Sequence, residues 1–190
     1  MSLVRSAALI SFLATPALAC PTGADLANGI RVIYDDAFEE VYSPLPGGDV
    51  QIREIYPEGG EGFVRLANGY LKVEGFIWDN GQAVDRWIYS YPAGNPLPAA
   101  GPNVVWEGDV KFKDIQGDVF VSVETYTFGD RRKALVGGCN YEMIPLELVY
   151  DGYVDLVHYL PQLGFGYTAE SGTVENPRES IYRVTEIYAE

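Results

Sequence analysis

The sequence predicts an all-β protein built around one curved antiparallel sheet. From Ile30 onward, short runs of alternating apolar and polar residues are interrupted by turn residues roughly every 8 to 12 positions. No segment of ordinary helix length shows helical periodicity. A meander of ten or so strands cannot stay flat, so we expect a single domain that curls into a half-barrel or barrel-like shape.

Composition narrows the class of protein further. The chain has 190 residues, 47% of them hydrophobic and 21% charged, which is typical of one globular domain and not of a disordered chain. It carries 27 acidic residues against 13 Lys and Arg, a formal charge of -14. Such a surface repels phosphate backbones and anionic lipids, so nucleic acid is excluded as a partner.

The N-terminus reads as an export signal. Arg5 precedes a short apolar run over residues 7–13, and Ala17-Leu18-Ala19 places small residues where a signal peptidase cuts. The apolar run is shorter than the roughly 20 residues that span a bilayer. We therefore expect a signal peptide over 1–19, a single all-β domain over 20–190 that does not span a membrane, and a periplasmic or secreted protein.

The first residue of the expected mature chain is a cysteine, and this leaves two alternatives open. In an oxidising compartment, Cys20 and Cys139 form a candidate disulfide that closes a loop of about 120 residues. Alternatively, Cys20 carries lipid and Cys139 is free and buried. Ala17 and Leu18 stand in the opposite order to that of lipoprotein signals, which favours free secretion.

The elements follow in order along the first half of the chain. Thr22 to Leu26 is the best candidate for a short helical turn, capped by Thr22. Ile30 to Tyr34 is a strand, and the acidic residues after it form either a solvated hairpin tip or a weak calcium site (Asp35, Asp36, Glu39 and Glu40). The clearest hairpin joins Tyr70–Trp78 to Ala83–Tyr91 through the Asn80-Gly81 turn.

The second half continues the same pattern. The segment from Tyr91 to Pro102 is rich in Pro and Gly, and we expect it to cross the sheet as a long loop. The expected strands after it are Val104–Lys113, Asp118–Phe128, Arg132–Val136, Tyr141–Tyr150, Tyr153–Leu160 and Ile181–Tyr188.

Several short motifs resemble those of small exported bacterial proteins without an assigned activity. They are Cys20-Pro21-Thr22-Gly23-Ala24-Asp25-Leu26, Tyr126-Thr127-Phe128-Gly129, Gly138-Cys139-Asn140-Tyr141 and Tyr159-Leu160-Pro161-Gln162-Leu163-Gly164. This resemblance covers most of the mature chain, implies an envelope (periplasmic) location and supports pairing of the two cysteine motifs. At the level of fold, the chain is loosely similar to the half-barrels of periplasmic lipoprotein carriers, which implies a sheet that cradles a ligand.

The sequence contains no motif that defines a reaction. His158, the only histidine, falls on a strand face with apolar neighbours and is expected in the core, and Glu124 is a conceivable partner for it in catalysis. No nucleophile elbow, phosphate loop or metal-ligand spacing is present. We assign no catalytic residue, no metal site and no cofactor from the sequence.

One strand offers candidate binding residues. If the strand is regular, Tyr70, Phe76 and Trp78 share one face, which forms either an open aromatic binding strip or the contact with a second packed layer. We therefore expect a non-enzymatic envelope protein that binds an apolar ligand or a partner protein in the groove of its sheet. The alternative is a hydrolase that cleaves an envelope glycan or lipid through carboxylates. The sequence does not define an oligomeric state.

Overall fold

A computed structural model describes residues 19–79 and 82–190. The predicted signal peptide, apart from Ala19, and the Asn80-Gly81 turn lie outside the described residues.

Within those residues the chain is all-β, as the sequence predicts. The short helical segment near Thr22 is a 3₁₀ helix over Asp25–Ala27. Its N-cap residue is Ala24, and no side chain caps it. The predicted cap, Thr22, instead donates from its amide and its hydroxyl to Asp25 Oδ2 at 2.8 Å. The strands of the described residues are β1 (Ile30–Tyr34), β2 (Glu39–Pro44), β3 (Val50–Ile55), β4 (Glu61–Ala67), β5 (Leu71–Asp79), β6 (Gln82–Ser90), β7 (Val105–Lys113), β8 (Val119–Phe128), β9 (Arg132–Val136), β10 (Cys139–Tyr150), β11 (Tyr153–Leu160), β12 (Phe165–Thr173), β13 (Ser180–Ile181) and β14 (Val184–Ala189).

The strands form one antiparallel sheet in a single domain. Consecutive strands pair along β1–β8 and again along β10–β13, and β14 returns to pair with β1. The long strand β10 pairs with β9 over Cys139–Met143 and with β8 over Leu146–Val149. No ladder within the described residues joins β13 to β14, so the sheet is open and does not close into a barrel.

The sheet curls until its two ends meet. Strand twist and bulges bend a sheet, and register shifts interrupt the ladders at Arg65/Leu66, Ile77/Trp78 and Leu156/Val157. At the contact, the Tyr42 ring on β2 stacks on the Phe165 ring on β12 with centroids 3.8 Å apart. The Gly166 amide donates to the Gly69 carbonyl at 2.8 Å, which ties β12 to the turn before β5.

Two buried clusters fill the curl. The larger one joins β1–β4 and β14 to β9, β10 and β12, with Ile30, Val32, Tyr42 and Phe165 among its fully buried members. The smaller one joins β5, β7 and β8 to β10 and β11. The Pro- and Gly-rich segment crosses this second cluster as a loop, since the Tyr70 hydroxyl donates to the Pro98 carbonyl and the Trp106 indole donates to the Asn95 carbonyl at 3.2 Å.

A disulfide fixes the start of the domain. Cys20 and Cys139 are bonded, with their Cα atoms 5.6 Å apart, so the predicted pairing is confirmed. The Tyr141 hydroxyl donates to the Pro21 carbonyl at 3.0 Å beside it. These contacts attach the first residues to the N-terminal end of β10.

Candidate functional site

The three predicted aromatic residues do not share a face. In the β4–β5 ladder, Arg65 is opposite Glu74 and Leu66 is opposite Lys72, so Val73 has no partner and forms a bulge. Because side chains alternate along a strand, one extra residue reverses the face of everything before it. Tyr70 and Lys72 therefore turn to the concave face, whereas Phe76 and Trp78 stay on the convex face.

Tyr70 precedes β5 and belongs to the core. It is 5% exposed, and its ring packs edge-on against Phe128 and Tyr159 with centroids 5.1 and 5.9 Å away. This position gives Tyr70 a packing role between the sheet and the loop that crosses it.

Phe76 and Trp78 form a small aromatic group on the outside of the sheet. Phe76 stacks on Phe63 of β4 with centroids 5.1 Å apart, and Trp78, 40% exposed, packs edge-on against Phe76. Of the three predicted residues, only Tyr70 lies on the concave face, where a ligand was expected, and it lines a small cavity there.

A cleft of about 760 Å³ opens on the concave side, where the ends of β1–β3 meet those of β10–β12. We call it the tyrosine cleft. It is lined by Tyr34, Asp36, Phe38, Glu40, Glu54, Tyr56, Pro57, Glu58, Lys72, Tyr150, Asp155, Thr168, Ser171 and Tyr182.

One wall of the tyrosine cleft is aromatic. Phe38 follows the turn after β1, and its ring lies between those of Tyr34 and Tyr56, with both centroids 5.4 Å from it. Tyr34 is buried, and Phe38 and Tyr56 are half-buried. The half-buried rings of Phe38 and Tyr56 give an apolar surface that a ligand can contact, and the buried Tyr34 ring packs against Phe38.

A buried carboxylate lies beside this wall. Glu40 is 7% exposed, and its Oε2 accepts hydrogen bonds from the hydroxyls of Tyr34 at 2.5 Å and Tyr42 at 2.6 Å. Burial raises the pKa of Glu40 from 4.5 to about 7, against the opposing effect of the two tyrosine hydroxyls. Glu54 is opposite Glu40 in the β2–β3 ladder and accepts from Tyr56 at 2.7 Å.

The opposite wall repeats the combination of tyrosine and polar groups. The Tyr150 hydroxyl donates to the buried Asp155 at 3.2 Å, and the hydroxyls of Ser171 and Tyr182 lie 3.1 Å apart. Lys72, placed inward by the bulge at Val73, is the only Lys or Arg among the described residues that lines the cleft.

A smaller cavity of about 40 Å³ adjoins the cleft and shares Lys72, Tyr150 and Asp155 with it. Here the buried Glu124 accepts from the Tyr126 hydroxyl at 2.6 Å, and the Tyr126 oxygen lies 3.1 Å from that of Tyr91. Burial raises the pKa of Glu124 as well.

The structure does not bring His158 and Glu124 together. His158 Nδ1 lies 3.1 Å from the Tyr167 hydroxyl, and the two rings pack edge-on. Glu124 bonds to Tyr126 instead, in a cavity that His158 does not line. Burial, and secondarily the charge of Arg132, lowers the pKa of His158 from 6.5 to about 4. The histidine therefore remains neutral at pH 7.

The acidic residues after β1 separate in the structure. Glu40 points into the cleft, Glu39 pairs with Arg31, and Asp36 lies at the exposed edge of the cleft. Within the described residues, no group of three or more His, Cys, Asp or Glu side chains is arranged to hold a metal ion.

A sequence signal for this site does exist. Glu-x-Tyr occurs four times in the chain. In Glu40-Val41-Tyr42, Glu54-Ile55-Tyr56 and Glu124-Thr125-Tyr126 the tyrosine hydroxyl donates to the glutamate two residues earlier, whereas Glu186-Ile187-Tyr188, outside the cleft, has no such bond among the described residues. Residues two apart on a strand lie on the same face, so a repeated Glu-x-Tyr indicates paired acid and phenol groups on one side of a sheet.

Comparisons with protein-family models, with curated proteins and with solved structures found no match to this chain. In the part of the chain that the structure describes, no helix has the length and apolar character needed to cross a membrane. The disulfide is typical of proteins that fold in an oxidising compartment.

Proposed function

We propose that this chain is an exported, non-enzymatic binding protein, periplasmic or secreted, that holds a small ligand in the tyrosine cleft. The observation that carries the proposal is the cleft itself. Its volume of about 760 Å³ falls within the range of roughly 300 to 1,000 Å³ found for small-molecule sites. An aromatic wall faced by a few oriented polar groups is also the usual composition of such sites.

The strands hold this cleft in a fixed shape. Glu40 and Glu54 lie on paired strands, and Asp155 and Ser171 are partners in the β11–β12 ladder. Side chains carried on hydrogen-bonded strands need little reordering when a ligand enters, which favours binding.

Native mass spectrometry of the protein purified from its own compartment tests this function. We expect a bound small molecule in the wild type. Ser171→Trp, which fills the cleft, should abolish that extra mass, whereas Thr127→Trp on the exposed face of β8 should keep it. The same bound mass in Ser171→Trp would contradict the proposed site.

The proposal includes export through the predicted leader. The mature protein should begin at Cys20, which the disulfide engages, and should carry no acyl chain. An intact mass of the protein recovered after export measures both properties at once. A mass increased by an acyl chain would contradict the prediction that Cys20 carries no lipid.

One observation favours the alternative, a hydrolase acting on an envelope glycan or lipid. A carboxyl group with a raised pKa, such as that of Glu40, can act as a general acid, and Asp155 lines the same cleft. Incubation with isolated envelope glycans and lipids separates the two functions. Product release that Glu40→Gln abolishes would establish the hydrolase, whereas a binding protein leaves them intact.

A further inference from the structure

The inward-facing carboxylates of the concave face take tyrosine hydroxyls, not cations, as partners. Each accepts a hydrogen bond of 2.5 to 3.2 Å from a phenol. The pairs are Glu40 with Tyr34 and Tyr42, Glu54 with Tyr56, Glu124 with Tyr126, and Asp155 with Tyr150. A neutral hydroxyl satisfies a carboxylate oxygen, but it brings no positive charge.

The ion pairs of the described residues all lie elsewhere. Each uses a carboxylate that does not line the tyrosine cleft, such as Glu39 and Glu190 on Arg31 or Glu74 on Arg86. The carboxylates inside the cleft therefore have no cation within ion-pair distance. An ionised carboxylate that is buried without a positive partner is costly, so a ligand that supplies a positive charge stabilises the ionised form.

Lys72 does not meet this need. Its charge lowers the pKa of Glu40 and Glu124 against the larger effect of burial, yet within the described residues it forms no ion pair. One ammonium group thus faces five cleft-lining carboxylates, namely Asp36, Glu40, Glu54, Glu58 and Asp155. The overall formal charge of -14 adds a long-range field that attracts cations.

The groups that line the cleft become more buried from its mouth to its inner end. Asp36 and Glu58 are exposed at its mouth, Phe38 and Tyr56 are half-buried, and Glu40 is buried. Both tyrosine hydroxyls reach Glu40 on Oε2, and no hydrogen bond among the described residues reaches Oε1. Aromatic faces stabilise a cation within about 6 Å and also pack against an apolar chain.

We propose that the tyrosine cleft binds an organic cation, an amine or quaternary ammonium group carried on an apolar body. The ammonium group lies between Glu40, Glu54 and Asp155, and the apolar body packs along Phe38 and Tyr56. This assignment rests on the proposed binding function and names its ligand class.

A matched series of probes tests the charge. Octyltrimethylammonium, octanol and octanoate share one apolar chain and differ in the charge of the head, and calorimetric titration measures the Kd of each below its micellar concentration. We expect the cation to bind at least about tenfold more tightly than the alcohol and octanoate to bind least. Equal or tighter binding of octanol or octanoate would overturn the cation assignment and leave the binding function standing. Failure of all three to bind would overturn both.

Single charge changes localise the effect. Glu40→Gln and Glu54→Gln should each weaken binding of octyltrimethylammonium about tenfold, and Lys72→Gln should strengthen it. Glu107→Gln changes the net charge equally but lies exposed on β7, outside the cleft, and should leave the Kd within about twofold. Circular dichroism checks that each variant is folded. If Glu40→Gln does not fold, Glu54→Gln, which changes a half-buried residue, provides the test in its place. Equal weakening by Glu107→Gln would show attraction to the overall charge only and would overturn the proposal.

Discussion

The ring of Tyr42 stacks on the ring of Phe165, with their centroids 3.8 Å apart and their planes 16° apart. This contact joins β2 to β12 across the curl of the sheet. The hydroxyl of the same tyrosine donates to Glu40 at 2.6 Å, so the residue that brings the ends of the sheet together also orients the buried carboxylate of the cleft. Stability of the curl and geometry of the site are therefore coupled through one side chain.

Removing the Phe165 ring should destabilise the protein strongly. Phe165 is fully buried, and replacing a buried phenylalanine by alanine costs about 3 to 5 kcal/mol through lost transfer energy and the cavity left behind. Urea unfolding of Phe165→Ala measures the loss. Phe120→Ala is the matched control, because Phe120 is 55% exposed and its removal should change the free energy of unfolding far less. Equal losses in the two variants would contradict the packing described.

Breaking the disulfide should lower stability by an amount set by the loop that it closes. The two cysteines are 119 positions apart, and a loop of that size contributes about 4 to 5 kcal/mol in the chain-entropy model. The double variant Cys20→Ser, Cys139→Ser should unfold at a markedly lower urea concentration than the wild type. The wild type treated with a reductant should behave like the variant. Two alkylatable thiols in the untreated native protein would contradict the bond.

Ionisation of Glu40 should make stability fall as pH rises. In the folded state its pKa is about 7 against 4.5 for the free group, so between these values the folded protein holds a proton that the unfolded chain has lost. Each pH unit in this window lowers the free energy of unfolding, by up to about 3 kcal/mol in total. Urea unfolding at pH 4.5 and pH 8 should show this loss in the wild type but not in Glu40→Gln. The amide oxygen of this variant can still accept hydrogen bonds from the tyrosine hydroxyls. Parallel pH profiles for the two proteins would contradict the raised pKa.

His158 should have the opposite effect in a lower pH range. Its pKa is lowered to about 4 in the folded protein, so between pH 6.5 and pH 4 the unfolded chain binds a proton that the folded protein does not. The stability that the neutral His158 contributes is therefore fully present above pH 6.5. It is lost as the pH falls toward 4, which lowers the free energy of unfolding by about 2 to 3 kcal/mol. His158→Asn, whose amide can still hydrogen-bond with the Tyr167 hydroxyl, should lack this component. An NMR titration of the single histidine checks the pKa directly, and a value near 6.5 would disprove the shift.

Much of the architecture was predictable because strands and turns are local features. The alternation in Val105–Lys113 and Val119–Phe128 and the turn between them define a hairpin whatever lies around it. The pairing of Cys20 with Cys139 was predictable for another reason, since two cysteines in one chain allow a single intramolecular pairing.

The face on which Tyr70 and Lys72 lie depended on a single residue that no local rule identified. A regular strand places Tyr70 with Phe76 and Trp78, but the unpaired Val73 moves Tyr70 and Lys72 to the concave side. A bulge is selected by the packing of both neighbouring strands, so its position is a property of the assembled sheet.

The alternating strands, the turns, the acidic surface and the cysteine pair were determined by the sequence itself. The tertiary structure alone decided which side of each strand faces inward, where the sheet ends meet, and that Glu40, Glu54 and Asp155 line one cleft. Alternation along a strand separates two faces without saying which is buried, and only the curl of the whole sheet, closed by Tyr42 on Phe165, assigns one of them to the interior.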